Sequence, residues 1–244
     1  MNRYHYDLHM HSCLSPCGDN DSTPNSIAGM CALSGIEIAA LTDHNTSRNC
    51  PAFFKACKRY GVIPVAGMEL TTAEDIHIVC LFETLDAALA FNDEVDKQRI
   101  RIPNRKEIFG DQLITDDEDN VIGEEPDLLI NATNITIEQV PSLVSRFGGI
   151  CHPAHIDRDA NGIIAILGVF PEEPYFGCVE VHDMENLPAL QEKYPVLKDK
   201  TVLECSDAHY LTQIRDAKAY FDLDDEPYSG DNVRKELFKV LKGL

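Results

Sequence analysis

Five short runs constrain this chain more than anything else in it. Each sets histidines or acids at the end of an apolar, strand-like stretch. The first is Asp7-Leu8-His9-Met10-His11, followed by Thr42-Asp43-His44, Gly67-Met68-Glu69, His152-Pro153-Ala154-His155 and Ser206-Asp207-Ala208-His209. Residues two apart on a strand point to the same face, so His9 and His11 form half of a metal shell. Chemistry repeated at strand ends fits a parallel α/β barrel, whose following loops converge on one mouth. Imidazoles and carboxylates crowded there would repel or stay unpaired unless cations sat between them.

The intervening sequence supports that architecture. The first strand-like run covers Tyr4 to His11, and Thr23-Pro24 is an N-cap with proline in the first turn for a helix over Ser26–Leu33. Strand-like runs follow at Ile36–Leu41, Val62–Gly67, His77–Phe82, Gly149–Ala154, Cys178–Val181, Thr201–Cys205 and Ala217–Leu223. Helical segments are expected at Pro51–Tyr60, Thr84–Lys97, Ile163–Leu167, Leu187–Tyr194 and from Ser229 to Leu241. Thr136 with Gln139 makes a capping box for one more, running to Phe147. About seven strand–helix units argue for one barrel domain over residues 1–244 rather than an open sheet. Residues 99–135 break the rhythm: Gln112–Ile114 and Asn120–Ile122 flank Asp116-Asp117-Glu118-Asp119, which reads as an acidic hairpin turn within an insertion or cap. That turn lacks the spacing of a calcium loop.

Composition narrows the setting. No apolar run reaches membrane-spanning length and the first residues lack a secretory plan, so the expected location is the cytoplasm. The nine cysteines are odd in number and scattered, which suits buried free thiols; only Cys13 and Cys17 lie near the histidine pair. A formal net charge of −20 repels anionic lipid and argues against a duplex nucleic acid partner, while leaving a small phosphorylated substrate open. Walker, nucleophile-elbow and dinucleotide motifs are absent from the sequence.

In order along the chain, Asp7-Leu8-His9-Met10-His11-Ser12, Thr42-Asp43-His44, Gly67-Met68-Glu69-Leu70, the histidine of Asp75-Ile76-His77-Ile78-Val79, Pro153-Ala154-His155 and Ser206-Asp207-Ala208-His209 resemble the PHP (polymerase and histidinol phosphatase) phosphoesterases. The resemblance implies an α/β fold, a distorted seven-stranded (β/α)7 TIM-like barrel, and two or three divalent ions such as zinc, iron or manganese. One ion would take His9, His11, Glu69 and Asp207. A second would share Glu69 and add His77 and His155, with His152 as the rival to His155. A third would take a first-loop carboxylate with His44 and His209. Counting back from Pro24 gives that role to Asp19, with Cys17 and Asp21 as rivals. His9, Glu69, Asp207 and His209 would then be catalytic.

Three divalent ions against three carboxylates leave roughly +3, so an acidic protein can still hold phosphate there. The expected reaction is attack on phosphorus by hydroxide, since metals lower the pKa of a bound water toward about 7. Arg158 and His182 are candidates for binding substrate, and Arg48 is a weaker one. Asp43 would orient an imidazole from behind. The expected function is hydrolysis of a small phosphorylated metabolite or nucleotide. A nuclease trimming 3′ ends and a non-catalytic metal-binding module are the alternatives.

Overall fold

The computed structural model describes residues 1–243. Its strands are β1 (Asn2–Asp7), β2 (Ile38–Leu41), β3 (Ile63–Thr71), β4 (His77–Phe82), β5 (Leu113–Thr115), β6 (Val121–Glu124), β7 (Ile150–Pro153), β8 (Cys178–Val181), β9 (Thr201–Glu204) and β10 (Tyr220–Leu223). The α-helices are α1 (Pro24–Leu33), α2 (Cys50–Tyr60), α3 (Leu85–Asp96), α4 (Lys106–Phe109), α5 (Val140–Arg146), α6 (Ile163–Leu167), α7 (Leu187–Lys193) and α8 (Gly230–Leu241).

The architecture is α/β, but it is not seven repeated parallel units. Six strands form one curled sheet in the order β10-β1-β2-β3-β4-β7, while β5-β6 and β8-β9 pair separately. Only β1-β2 and β2-β3 are parallel in the large sheet; β10 against β1, β3 against β4, and β4 against β7 run antiparallel. For β3 and β4 the cause is the short chain between them. Five residues separate Thr71 from His77, too few for a parallel crossover. They make a tight turn, with the Thr72 N–H donating to the Ile76 carbonyl and Asp75 at φ 62°. Single contacts carry the curl onward: the Ile156 N–H donates to the Glu180 carbonyl, and Met10 bridges Ala208.

Alternation sorts the strand residues into two cores. Ile38, Ala40, Ile63, Val65, Val79, Leu81 and Leu203 share the inner cluster with Val233, Leu237, Phe238 and Leu241 of α8, which packs against that apolar face. Ala39, Leu41, Ala66, Met68, Ile78 and Cys80 face the other way, onto Ile27 and Ala28 of α1, Phe53 of α2 and Phe91 of α3. The same parity carries Glu69, His77 and Glu180 onto the inner face.

Several boundaries depart from expectation. β3 runs past Gly67 to Thr71, so Glu69 lies within a strand. The Gln139 side chain accepts from the Thr136 N–H at 2.9 Å, yet α5 starts only at Val140. The acidic hairpin is present as β5-β6; its Asp117 pairs with Arg59 and its Asp116 caps the turn, accepting from the Glu118 N–H at 2.9 Å. All nine cysteines are free thiols, with Cys17 exposed, Cys151 half-buried and the others buried. Among the described residues no helix is long and apolar enough to cross a membrane.

Candidate metal centre

Glu69 is the hub of the site, buried at 1% exposure. Its Oε1 lies 2.9 Å from His77 Nδ1, 3.3 Å from His155 Nε2 and 3.4 Å from His9 Nε2. Its Oε2 lies 3.2 Å from His11 Nε2 and 3.0 Å from His44 Nδ1. Asp207 Oδ1 closes the other side, 3.4 Å from His9 Nε2 and 3.2 Å from His11 Nε2. Topology explains how His77 arrives: β4 runs antiparallel to β3, so its first residue stands opposite Thr71 at the same mouth. His155 at φ 28° and Asp207 at φ 51° hold backbone conformations uncommon for non-glycine residues, just past β7 and β9.

Three donor sets have ligand atoms within 4.8 Å of one another: His9, His11, Glu69 and Asp207; His44, Glu69 and His77; and His11, His44 and His209. The first coincides with the expected foursome. The second joins His77 to His44 rather than to His155, which approaches Glu69 alone. His152 lies apart from these sets, in β7, its Nδ1 3.4 Å from the Pro153 carbonyl. Asp19 is likewise in none of them. Its carboxylate accepts from the Asp21 N–H at 2.9 Å, and its own N–H donates to the His209 carbonyl at 3.0 Å. The first-loop side chain that meets the cluster is Cys17, whose Sγ lies 3.3 Å from His44 Nε2.

Two supports were not anticipated. Glu180, wholly buried in β8, accepts from His9 Nδ1 at 2.9 Å and from the His155 N–H at 3.2 Å. That bond holds His9 with Nε2 toward Glu69 and Asp207, as a carboxylate behind a metal-binding histidine does. The signal was a lone acid in the apolar run Cys178-Val179-Glu180-Val181, since a buried carboxylate needs a partner. Ser15 is the other support: its hydroxyl accepts from His11 Nδ1 at 3.0 Å and donates to Asp43 at 2.8 Å. Asp43 also accepts from the Ser12 N–H and hydroxyl, both at 2.7 Å. Asp43 therefore meets the His11 imidazole through Ser15, whose hydroxyl also accepts from the His44 N–H at 3.2 Å.

Protonation divides the cluster. Burial alone would lower His9, but Glu180, Glu69 and Asp207 raise it well above the ordinary value. Burial is likewise outweighed at His11, where the adjoining Asp207 and Glu69 carboxylates lift the imidazole to about 9. Burial lowers His44 to about 3 and His209 to about 4, with the His11 charge adding to both. Burial would raise Glu69, yet His77, His9 and His44 hold it well below the usual carboxylate range.

The site fits cations. Buried and without a hydrogen-bond partner are His44 Nδ1, Glu69 Oε2, His77 Nε2, His155 Nδ1 and Asp207 Oδ1. Two of these, His44 Nδ1 and Glu69 Oε2, lie 3.0 Å apart without hydrogen-bond alignment. Imidazoles crowded around buried carboxylates with unmet donors and acceptors are what cations satisfy. Beside them is a cavity of about 140 Å³, lined in part by Cys17, Ile130, Asn161 and His209. At its edge Arg158 pairs with Asp207 and contacts His182 at 3.0 Å, and Arg215 reaches His182 Nε2 at 3.2 Å. Arg48 pairs with buried Glu125 and is occupied away from the cluster.

Comparison with known proteins agrees with this arrangement. The PHP domain family matches residues 7–161, and the chain belongs to that family, whose members are metal-dependent hydrolases that bind divalent metals. An uncharacterised protein of Methanocaldococcus jannaschii is 33% identical over 103 residues, 39% of this chain and 60% of that protein. The lesion-specific endonuclease PfuEndoQ of Pyrococcus furiosus shares the fold over the whole chain, with a TM-score of 0.67 and 17% identity. This chain spans 56% of that enzyme's length. A Bifidobacterium adolescentis protein assigned to the metal-dependent phosphoesterases matches with a TM-score of 0.62 and 16% identity, over 97% of this chain and 96% of its own.

One expectation is overturned here. Net charge argued against duplex nucleic acid, yet an Endonuclease Q structure of the same fold, TM-score 0.65, holds a 27-mer duplex with an abasic lesion at its active site. Charges beyond about 10 Å are screened at ordinary salt, so a total of −20 does not set the field at one mouth.

Proposed function

We propose that this protein is a metal-dependent phosphoesterase acting on a small phosphorylated metabolite or nucleotide. The observation that carries the reading is Glu69, one buried carboxylate met by His9, His11, His44, His77 and His155 within 2.9–3.4 Å. Divalent cations bound there supply Lewis-acid charge and lower the pKa of water, from about 15.7 toward about 7. Two or three such ions are expected, with His9, His11, Glu69 and Asp207 holding one and Glu69 and His77 contributing to a second.

The chain's own groups do the rest. Glu180 and the Ser15–Asp43 pair fix His9 and His11, so that their Nε2 atoms need no rearrangement on loading. Arg158 stands between Asp207 and His182, placed to exchange its carboxylate partner for a phosphoryl oxygen.

Phosphate release from monoesters, bisphosphates, short oligonucleotides and a lesion-bearing duplex, with and without added manganese or zinc, tests the reading. Metal-stimulated release from monoesters or bisphosphates is expected. Cleavage of the duplex or oligonucleotides alone would move the assignment to a nuclease, the reading that the shared fold with Endonuclease Q favours. A metal-loaded protein inert on every substrate would leave a binding module.

A further inference from the structure

The first loop departs from the resemblance in a way that bears on which cation the mouth takes. Cys17 lies in a turn closed by Ser15 N–H to the Ser12 carbonyl at 3.0 Å and Gly18 N–H to the Ser15 carbonyl at 2.9 Å. Gly18 is required there, because a Cβ would stand 2.4 Å from the Ser12 carbonyl oxygen. The loop is pinned from three sides: by Asp43 on Ser12 and Ser15, by the His209 carbonyl on Asp19, and by the Ser22 carbonyl on Cys13. Cys17 and the loop's two acids all lie outside the three donor sets, but of these side chains only that of Cys17 meets a cluster histidine. Asp19 caps its own turn, and Asp21 is exposed.

Facing Cys17 is a group that needs a ligand. His11, His44 and His209 bring three nitrogens within 4.8 Å of one another, with ring centroids of His11 and His209 only 4.1 Å apart. His44 is 2% exposed; its Nδ1 lies 3.0 Å from Glu69 Oε2, which leaves Nε2 as the nitrogen turned toward Cys17. His209 Nδ1 donates to the Asp207 carbonyl at 2.9 Å, which leaves its Nε2 free for a ligand. Cys17 Sγ stands 3.3 Å from His44 Nε2. Two ligands on one tetrahedral zinc, at bond lengths of about 2.3 Å to sulfur and about 2.0 Å to nitrogen, would be about 3.5 Å apart.

We infer that Cys17 is a thiolate ligand of the cation held at the rim by His44 and His209, in the position the family resemblance gives to a carboxylate. The inference rests on the metal-dependent reading above and adds to it a soft donor. One sulfur with imidazoles favours zinc or ferrous iron there over manganese or magnesium, whose preference is for oxygen. On binding, the thiol proton passes to solvent and the S–M bond forms without redox change.

Cobalt(II) substitution of the metal-stripped protein tests it. The wild type is expected to show thiolate-to-cobalt charge-transfer absorption in the near ultraviolet, above the visible d–d bands of all bound ions. Cys17→Ala should lose that absorption and one cobalt per chain, keeping the remaining d–d intensity. Cys17→Asp should regain the ion without the charge-transfer band. A wild type that takes up cobalt with no such band, or a band that survives in Cys17→Ala, overturns the thiolate. Uptake of no cobalt at all would sink the metal-dependent reading together with it.

Discussion

The floor of the mouth and its rim are built from the same residue type and behave oppositely. At the floor, His9 and His11 are buried against Glu69, Asp207 and Glu180, and carboxylates outweigh burial to raise both imidazoles. At the rim, burial and a neighbouring imidazole lower His44 and His209 to about 3 and about 4. The floor in the metal-free protein therefore holds protons where cations would go, whereas the rim nitrogens are already neutral. What separates them is not the histidines but how many acids each can see. That difference predicts a tight, acid-rich floor and a more exchangeable rim.

The largest break in the comparison should come at the hub. Glu69→Gln or His9→Ala should lower turnover by about 10³-fold or more, with the fold retained by circular dichroism; a rate within tenfold of wild type would remove these residues from the account. Glu180→Gln touches no proposed ion directly, yet should weaken floor binding by about 10- to 100-fold in a chelator competition. Ser15→Ala should fall at the low end of that range, because His11 keeps its other contacts.

The protonation contrast has its own sign. Floor affinity should rise as pH increases toward about 9, where His11 gives up its proton, with proton release detectable by calorimetry in buffers of different ionisation heat. Rim affinity should be nearly flat in its imidazole contribution over that window. Without metal, the raised His11 adds stability that is full below the ordinary histidine value and lost as pH climbs through about 9. The depressed Asp207 adds stability present above the ordinary carboxylate value and lost in acid. The smallest effect sharpens the rim assignment: Asp19→Asn should leave metal content unchanged and cost no more than about 1 kcal/mol, measured by urea denaturation.

Much of the floor was legible because its residues are close in sequence or sit at strand ends. His9, His11, Glu69 and Asp207 follow from strand patterning plus a family motif. His77 reaches the mouth from the start of its strand because the five residues before it allow only a hairpin with β3. Glu180 was readable from alternation, as a charge sharing the face of Cys178 between two outward valines. Cys17 was not readable over Asp19, since counting back from Pro24 cannot see that Asp19 would spend its carboxylate on Asp21. The strand order was hidden for the same reason: β8-β9 adjoin the curled sheet through single contacts that have no sequence signature.

Anomalous scattering from crystals grown with zinc is the most direct test of the central claim, that Glu69 and its imidazoles exist to hold cations. The account predicts peaks between His9, His11, Glu69 and Asp207, beside Glu69 and His77, and between Cys17, His44 and His209. A fully ordered cluster with no anomalous peak, its histidines hydrogen-bonded to the acids instead, would contradict it.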